Sequence, residues 1–284
     1  MHRSQSRSSL IAISGVSVLL LSLPAPSGAA PPRELQIGMP GNAFQAEFKK
    51  RVAAKFAPLD FSSHHGLRGK IVVAAIWEKR DTGRFKMKAG LSRNELEKEI
   101  KSSADAGYRL EHLTAMGSGG KPQYSAIWSK TPGQRLAVRF GFPEKEILKL
   151  HRQFTGKKYA IHRIMSIEDD GQVRYTAAWE QADGDRRELR LGLSAAVFQG
   201  DIRNRPKSGF RLRQAFAFVD RRGVRIACIW EKAAGPPQEI RVGLTETGQK
   251  KLHEQLTKKG YVPAQINGYA VNGRDRYIAV WEKP

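Results

Sequence analysis

The sequence predicts an α+β repeat protein: five copies of one unit, each a helix with a three-stranded antiparallel meander. Three observations predict it. The five tryptophans of the chain, Trp77, Trp128, Trp179, Trp230 and Trp281, each lie 51 residues after the one before, and a fixed period of that order marks a repeat architecture. A glycine keeps step with them, at Gly38, Gly90, Gly141, Gly192 and Gly243. Between glycine and tryptophan, one stretch of helical periodicity is followed by two of period two.

The second copy shows each element. Phe85, Met87 and Ala89 alternate with Lys86 and Lys88, the pattern of a strand, which Gly90 is expected to end. Ser92 with Glu95 three residues on reads as a capping box. Leu96 and Ile100 then share one helical face, and Gly107 suits the left-handed turn that closes a helix. Tyr108 to Met116 reads as a second strand, the segment from Ser118 to Lys121 as a hairpin turn, and Tyr124 to Trp128 as a third strand. The other copies repeat this order. Pro40, Pro143, Ser194 and Thr245 start helices, where proline or a hydroxyl side chain belongs. An aromatic residue stands eighteen positions after each glycine (Phe56, Tyr108, Tyr159, Phe210, Tyr261). Glycine to tryptophan spans 38 residues in four copies and 39 in the first, which places one extra residue near His64-His65. The fourth helix is expected to be the weakest, with Gly200 and Pro206 inside it or at its end.

In the tryptophan strand, the residue before each indole is apolar (Ile76, Ile127, Ala178, Ile229, Val280). A strand apolar on both faces is a covered, central one, so the indoles are expected in the core. The small residue two positions earlier (Ala75, Ala126, Ala177, Cys228, Ala279) leaves room for them. Cys228, the one cysteine, reads as such a small buried side chain.

Domain organisation follows. Residues 1–30 carry Arg3 and Arg7, an apolar run from Leu10 to Leu23, and a small-residue stretch ending at Ala30, the layout of a cleaved secretory signal peptide. Residues 31–284 form a single repeat domain with units near 39–91, 92–142, 143–193, 194–244 and 245–284, plus a strand at 33–38. Pro31 to Gly38 resembles Pro236 to Gly243, and the chain stops just after its last tryptophan strand. The ends therefore predict a propeller-like ring in which residues 33–38 pair with 276–283 and complete the last unit. An open arc, its first strand merely capping the first unit, is the alternative.

The repeats carry Ala74 to Lys79, Tyr124 to Lys130, Tyr175 to Glu180, Ile226 to Lys232 and Tyr277 to Lys283. In this they resemble the bacterial tandem repeat domain family, whose repeats bear a tyrosine-x-alanine-isoleucine-tryptophan-glutamate-lysine strand. The resemblance covers essentially all of residues 33–284. Similar repeats precede a serine β-lactamase-like domain in polyglycine hydrolases, and that catalytic domain has no room here. The resemblance thus implies a non-catalytic, ligand-presenting module.

The residues give no chemistry of their own that points to an enzyme. Ser118 and Lys121 have the serine-x-x-lysine spacing of a β-lactamase-like nucleophile, but in a hairpin turn rather than at a helix start. His151 and His253 occupy a helical position held by Ile100 and Ile202 in other copies, which favours packing over metal binding. His64 and His65, adjacent in an extended segment, point opposite ways. Asp169-Asp170-Gly171 and Asp183-Gly184-Asp185 read as turns. No catalytic, cofactor-binding or metal-ligating residue is assigned, and no cofactor is expected.

The net charge of +22 draws the protein to polyanions. Two residues before each glycine stand Gln36, Lys88, Arg139, Arg190 and Arg241. The four cations, Lys88, Arg139, Arg190 and Arg241, either form a basic stripe that reads a repetitive anionic ligand or pair with the acids after the indoles, Glu78, Glu180, Glu231 and Glu282. The expectation is an exported, non-enzymatic repeat scaffold or binding module of the bacterial cell envelope, in the periplasm, at the cell surface or secreted. Its partner would be a protein or an envelope polymer, with no membrane span left after signal cleavage. The alternative is a dedicated binder of anionic polymers: acidic glycan, lipopolysaccharide or nucleic acid.

Overall fold

A computed structural model describes residues 30–81, 84–117, 121–130, 136–169, 172–182 and 186–284. The signal-peptide segment up to residue 29, the Ser118 turn and the two aspartate-glycine turns lie outside them, wholly or in part.

Five units follow one another, each strand, helix, strand, strand. The first holds β1 (Arg33–Pro40), α1 (Gly41–Ala53), β2 (Phe56–His65) and β3 (Ile71–Lys79); the second β4 (Phe85–Leu91), α2 (Arg93–Asp105), β5 (Arg109–Met116) and β6 (Gln123–Ser129). The third holds β7 (Leu136–Phe142), α3 (Glu144–Thr155), β8 (Tyr159–Asp169) and β9 (Gln172–Gln181); the fourth β10 (Arg187–Leu193), α4 (Ala195–Asn204), β11 (Phe210–Asp220) and β12 (Gly223–Lys232). The fifth holds β13 (Gln238–Leu244), α5 (Glu246–Lys258), β14 (Val262–Val271) and β15 (Arg274–Glu282).

Every unit is its own three-stranded antiparallel sheet with the tryptophan strand in the middle, ordered β1-β3-β2, β4-β6-β5, β7-β9-β8, β10-β12-β11 and β13-β15-β14. This corrects the expected meander. The tryptophan strand takes as its outer partner the strand before its helix, not the strand that follows it. Unit boundaries move with that: the strand expected to close one unit opens the next. Residues 33–38 accordingly do not pair with 276–283. Glu34 lies opposite Trp77 and Gln36 opposite Ala75 in β3, whereas β15 pairs with β13, Glu239 opposite Trp281. The helix carries the chain across the sheet from one edge to the other, so β1 and β2 run the same way on either side of β3.

The recurring glycines do not end their strands. Each sits in a bulge where the register shifts, between Gln36 and Met39 in β1 and between Lys88 and Leu91 in β4, and the strand resumes beyond it. All five have positive φ, from 62° at Gly192 to 78° at Gly243, a region closed to most side chains but open to glycine. The helix starts read as expected: Ser92 and Glu95 form the capping box, and Ser194 and Thr245 accept from the amides of Val197 and Gly248. Pro206 lies beyond the fourth helix, the shortest at 10 residues.

The indoles are core, each at most 1% exposed. Burying a tryptophan contributes on the order of 4–6 kcal/mol of gross transfer energy, before ordering costs. Val73, Ala75 and Trp77 face α1, packing with Phe44. The opposite face of each sheet completes the core of the unit before it. Ile127 joins Trp77, Met165 joins Trp128, Ile229 joins Trp179, and Val280 joins Trp230. Ala74 and Ile76 of the first unit join Tyr277, Ala279 and Trp281 of the last.

Candidate functional site

The second strand of each unit, β2, β5, β8, β11 and β14, lines a common cavity of about 470 Å³. Each of these strands is bulged one position before the same place in the repeat, at Leu59, Glu111, His162, Arg213 and Ala264. The bulge re-aims the next side chain, and that residue is polar in all five copies: Asp60, His112, Arg163, Gln214 and Gln265. Neighbouring positions in these strands, such as Phe61, Leu113 and Ile164, are apolar and buried in their own unit's core.

Each of the five polar side chains reaches the backbone of another unit. His112 Nε2 stands 2.7 Å from the Phe61 carbonyl, and Arg163 Nε donates to the Glu111 carbonyl at 2.8 Å. Gln214 bridges both backbone groups of Ile164, donating to its carbonyl at 2.8 Å and accepting from its amide at 3.0 Å. Gln265 donates to the Arg213 carbonyl at 2.7 Å and accepts from the Ala215 amide at 3.3 Å. Asp60 of the first unit accepts from the Ile266 amide of the fifth at 2.7 Å, while its other oxygen lies 2.7 Å from His112 Nδ1. Two residues on, Asn267 accepts from the Ala217 amide and Ser62 from the Gly268 amide, each at 2.9 Å. His64 adds a further first-to-last contact, 2.9 Å from Asp275. His65 turns the other way, to the Gly69 carbonyl.

Beside this belt lies a charged cluster around Glu180, which is almost fully buried. Arg109 of the second unit and Arg187 of the fourth donate to it, at 2.8 and 2.5 Å. His162 Nδ1 stands 3.3 Å away. Burial alone would raise the Glu180 pKa, but His162 and Arg187 outweigh it and hold the carboxyl below its usual range. Burial pulls His162 down from 6.5, reinforced by the charges of Arg163 and Arg213 and opposed by Glu180. Its Nε2 faces the Leu110 carbonyl at 3.0 Å, and Nδ1 lies 3.4 Å from the Arg213 guanidinium.

The cations singled out in the sequence lie elsewhere. Lys88 pairs with Glu99 and Arg190 with Asp201, each an acid on the helix of its own unit. Arg241 pairs with Glu239 at 2.8 Å. Arg139, only 7% exposed, donates to the Val138 carbonyl and lies over the Phe154 ring. None of the four lines this common cavity, and the expected pairing with the acids after the indoles is wrong. Among the described residues those acids take other partners: Arg33 for Glu78, Arg187 and Arg213 for Glu231, Arg211 for Glu282. The reason is geometric. The acid follows the indole toward the strand end, whereas the bulge-side cation sits beside the helix.

His151 and His253 pack beside the indoles and accept from Trp179 and Trp281 Nε1 at 3.3 Å; Gln36 does the same for Trp77 at 2.7 Å. Cys228 is fully buried, which pushes its thiol up to about 12. Among the described residues no group of three or more His, Cys, Asp or Glu could hold a metal ion. No described helix is long and apolar enough to cross a membrane. Sequence reasoning missed this belt, although a signal existed: a polar residue stands at the same repeat position in all five second strands.

The model of a family described as BTRD1, polyglycine hydrolase-like structural repeat, matches residues 30–80, 82–131, 184–233 and 235–284. These stretches span most of the chain, and their boundaries agree with the strand-first units of the structure rather than with helix-first ones. The unit at 136–181 lies outside them but has the same strand and helix order. No curated protein matches the chain. The chain belongs to this family of structural repeats.

Proposed function

From that membership we propose that the protein is an exported, non-enzymatic tandem-repeat scaffold of the cell envelope, its five units arranged as a propeller-like ring that presents a binding surface. The observation that carries the reading is the belt of Asp60, His112, Arg163, Gln214 and Gln265. An active site holds polar groups free to meet a substrate. Here each of these five side chains is spent on a neighbour's backbone. The first-to-last contacts of Asp60 and Ser62 support closure, because they repeat what the interior seams do. The signal-peptide pattern of residues 1–30 supports export.

A second reading, a binder of anionic polymers, is favoured by the charge of +22. One experiment separates the two. The processed protein is immobilised and offered secreted proteins, acidic glycans, lipopolysaccharide and nucleic acid at low and high salt. Capture of a protein that survives high salt supports the scaffold. Capture of a polyanion that high salt abolishes supports the second reading. Capture of nothing sinks both. For the basic stripe, charge reversal at Lys88, Arg190 and Arg241 is the sharper probe, since Arg139 is too buried to reverse without damage. Unchanged polyanion affinity in the folded variant removes the stripe.

A further inference from the structure

The seams between units carry a carboxylate at two places and lack it at a third, where a cavity opens instead. Where the third unit meets the fourth, Glu144 opens α3 and lies against the bulge glycine of the next sheet. A Cβ built on Gly192 would stand 3.1 Å from its Oε2 and 3.7 Å from Arg222 Nη2. Where the fifth unit meets the first, Glu246 opens α5 and lies against Gly38 in the same way. Tyr175 and Tyr277, buried and held above their usual range, also feel these carboxylates.

Where the fourth unit meets the fifth, the residue that opens α4 is Ala195, which is exposed, and the facing glycine is Gly243. Ile226 replaces the tyrosine. A Cβ on Gly243 would meet nothing nearer than Tyr269 Oη at 3.8 Å. A cavity of about 580 Å³ opens there, lined by Gly243, Val224, Val271, Tyr269, Arg274 and Arg276. Arg276 donates to the Asp275 backbone carbonyl, and Asp275 turns its own carboxylate to His64. The ionisable side chains lining this cavity are two guanidinium groups and a phenol. The remaining seams differ. Arg93 itself occupies the second, over Phe140, and Gly41 of the first packs on Ile71.

We propose that the seam between the fourth and fifth units, at Gly243, Arg274 and Arg276, is a binding site for a carboxylate supplied by another molecule. That carboxylate would take the place Glu144 and Glu246 hold at their own seams. The guanidinium groups would pair with it, and Val224 and Val271 would cover an attached apolar group. The inference rests on the equivalence of the units and not on the polyanion reading, which calls for many dispersed charges rather than one pocket.

The test is calorimetric titration of the full chain with two probes. Benzoate represents a free organic acid, and a short peptide with a single glutamate represents an acidic side chain of a partner. Saturable binding of either, with millimolar Kd or tighter, is expected, and the probe that binds identifies the source. Ala195→Glu supplies the carboxylate from within the chain and should weaken binding at least ~10-fold. A double Arg274→Gln, Arg276→Gln variant should do the same without filling the cavity. Ala195→Glu changes the charge by one unit, so it leaves capture of polyanions intact and keeps this result separate from the earlier one. Absence of saturable binding by both probes, or binding that persists in the double variant, overturns the proposal.

Discussion

Single residues in this protein are governed by what their repeat position allows. The indole N–H is an example. Gln36, His151 and His253 accept from it in the first, third and fifth units. Ile100 and Ile202 stand at the histidine position in the second and fourth, and Trp128 Nε1 has no partner. The alternation of histidine with isoleucine in the sequence points to packing, but the acceptor role follows only from the indole's position. His162 yields a pH prediction. Its folded pKa lies below the ordinary 6.5 because burial disfavours the charged ring. The unfolded chain therefore binds more protons, and stability rises with pH through this window. Acidification from about pH 6.5 toward the depressed folded value should lose stability, on the order of 1.4 kcal/mol for each pH unit within the window. Glu180, also depressed, adds a loss only as pH falls below the ordinary carboxylate range near 4.5. Urea titrations of wild type and His162→Gln across pH 5–7 check this. Equal slopes in the two proteins would remove His162 as the cause.

At the scale of elements, strands, helices and caps were largely legible, and sheet membership was not. The capping box at Ser92, the helix-closing Gly107 and the central place of the tryptophan strand all follow from local patterns. The outer partner of that strand does not. In a tandem repeat, the strand before a unit's helix and the strand that follows its tryptophan strand are copies of one sequence, so periodicity fits either sheet. The glycine misled in the same way: its positive φ is as suitable for ending a strand as for the bulge it makes. The observed pairing has a measurable consequence. Removing residues 31–40 takes one of the two partners from β3 and leaves β15 with both. Hydrogen exchange should show protection of amides within 71–79 falling at least ~10-fold while that of 274–282 holds to within a few-fold, since exposed edges open locally. Selective loss at 274–282 would instead favour the helix-first arrangement.

For the molecule as a whole, the question is whether the first and last units hold each other as firmly as interior neighbours do. The fold answers with a matched pair of contacts. Asn267 accepts from the Ala217 amide across the seam between the fourth and fifth units, and Ser62 accepts from the Gly268 amide across the seam between the fifth and first. Both side chains occupy the same repeat position, both bonds are 2.9 Å long, and each satisfies a backbone donor on a neighbour's second strand. Truncating either leaves that donor without its partner, at a cost of about 1–3 kcal/mol where the group stays buried. In an open arc the ends would separate, the Gly268 amide would find water, and Ser62→Ala would cost under about 0.5 kcal/mol, like an ordinary surface change. In a closed ring Ser62→Ala and Asn267→Ala should cost comparable amounts. The double variant should be additive to within about 0.5 kcal/mol unless the long Asn267 to Ser62 contact of 3.4 Å couples the sites. Denaturant unfolding of the three variants therefore measures closure directly, because it compares the end seam with an interior one in the same molecule.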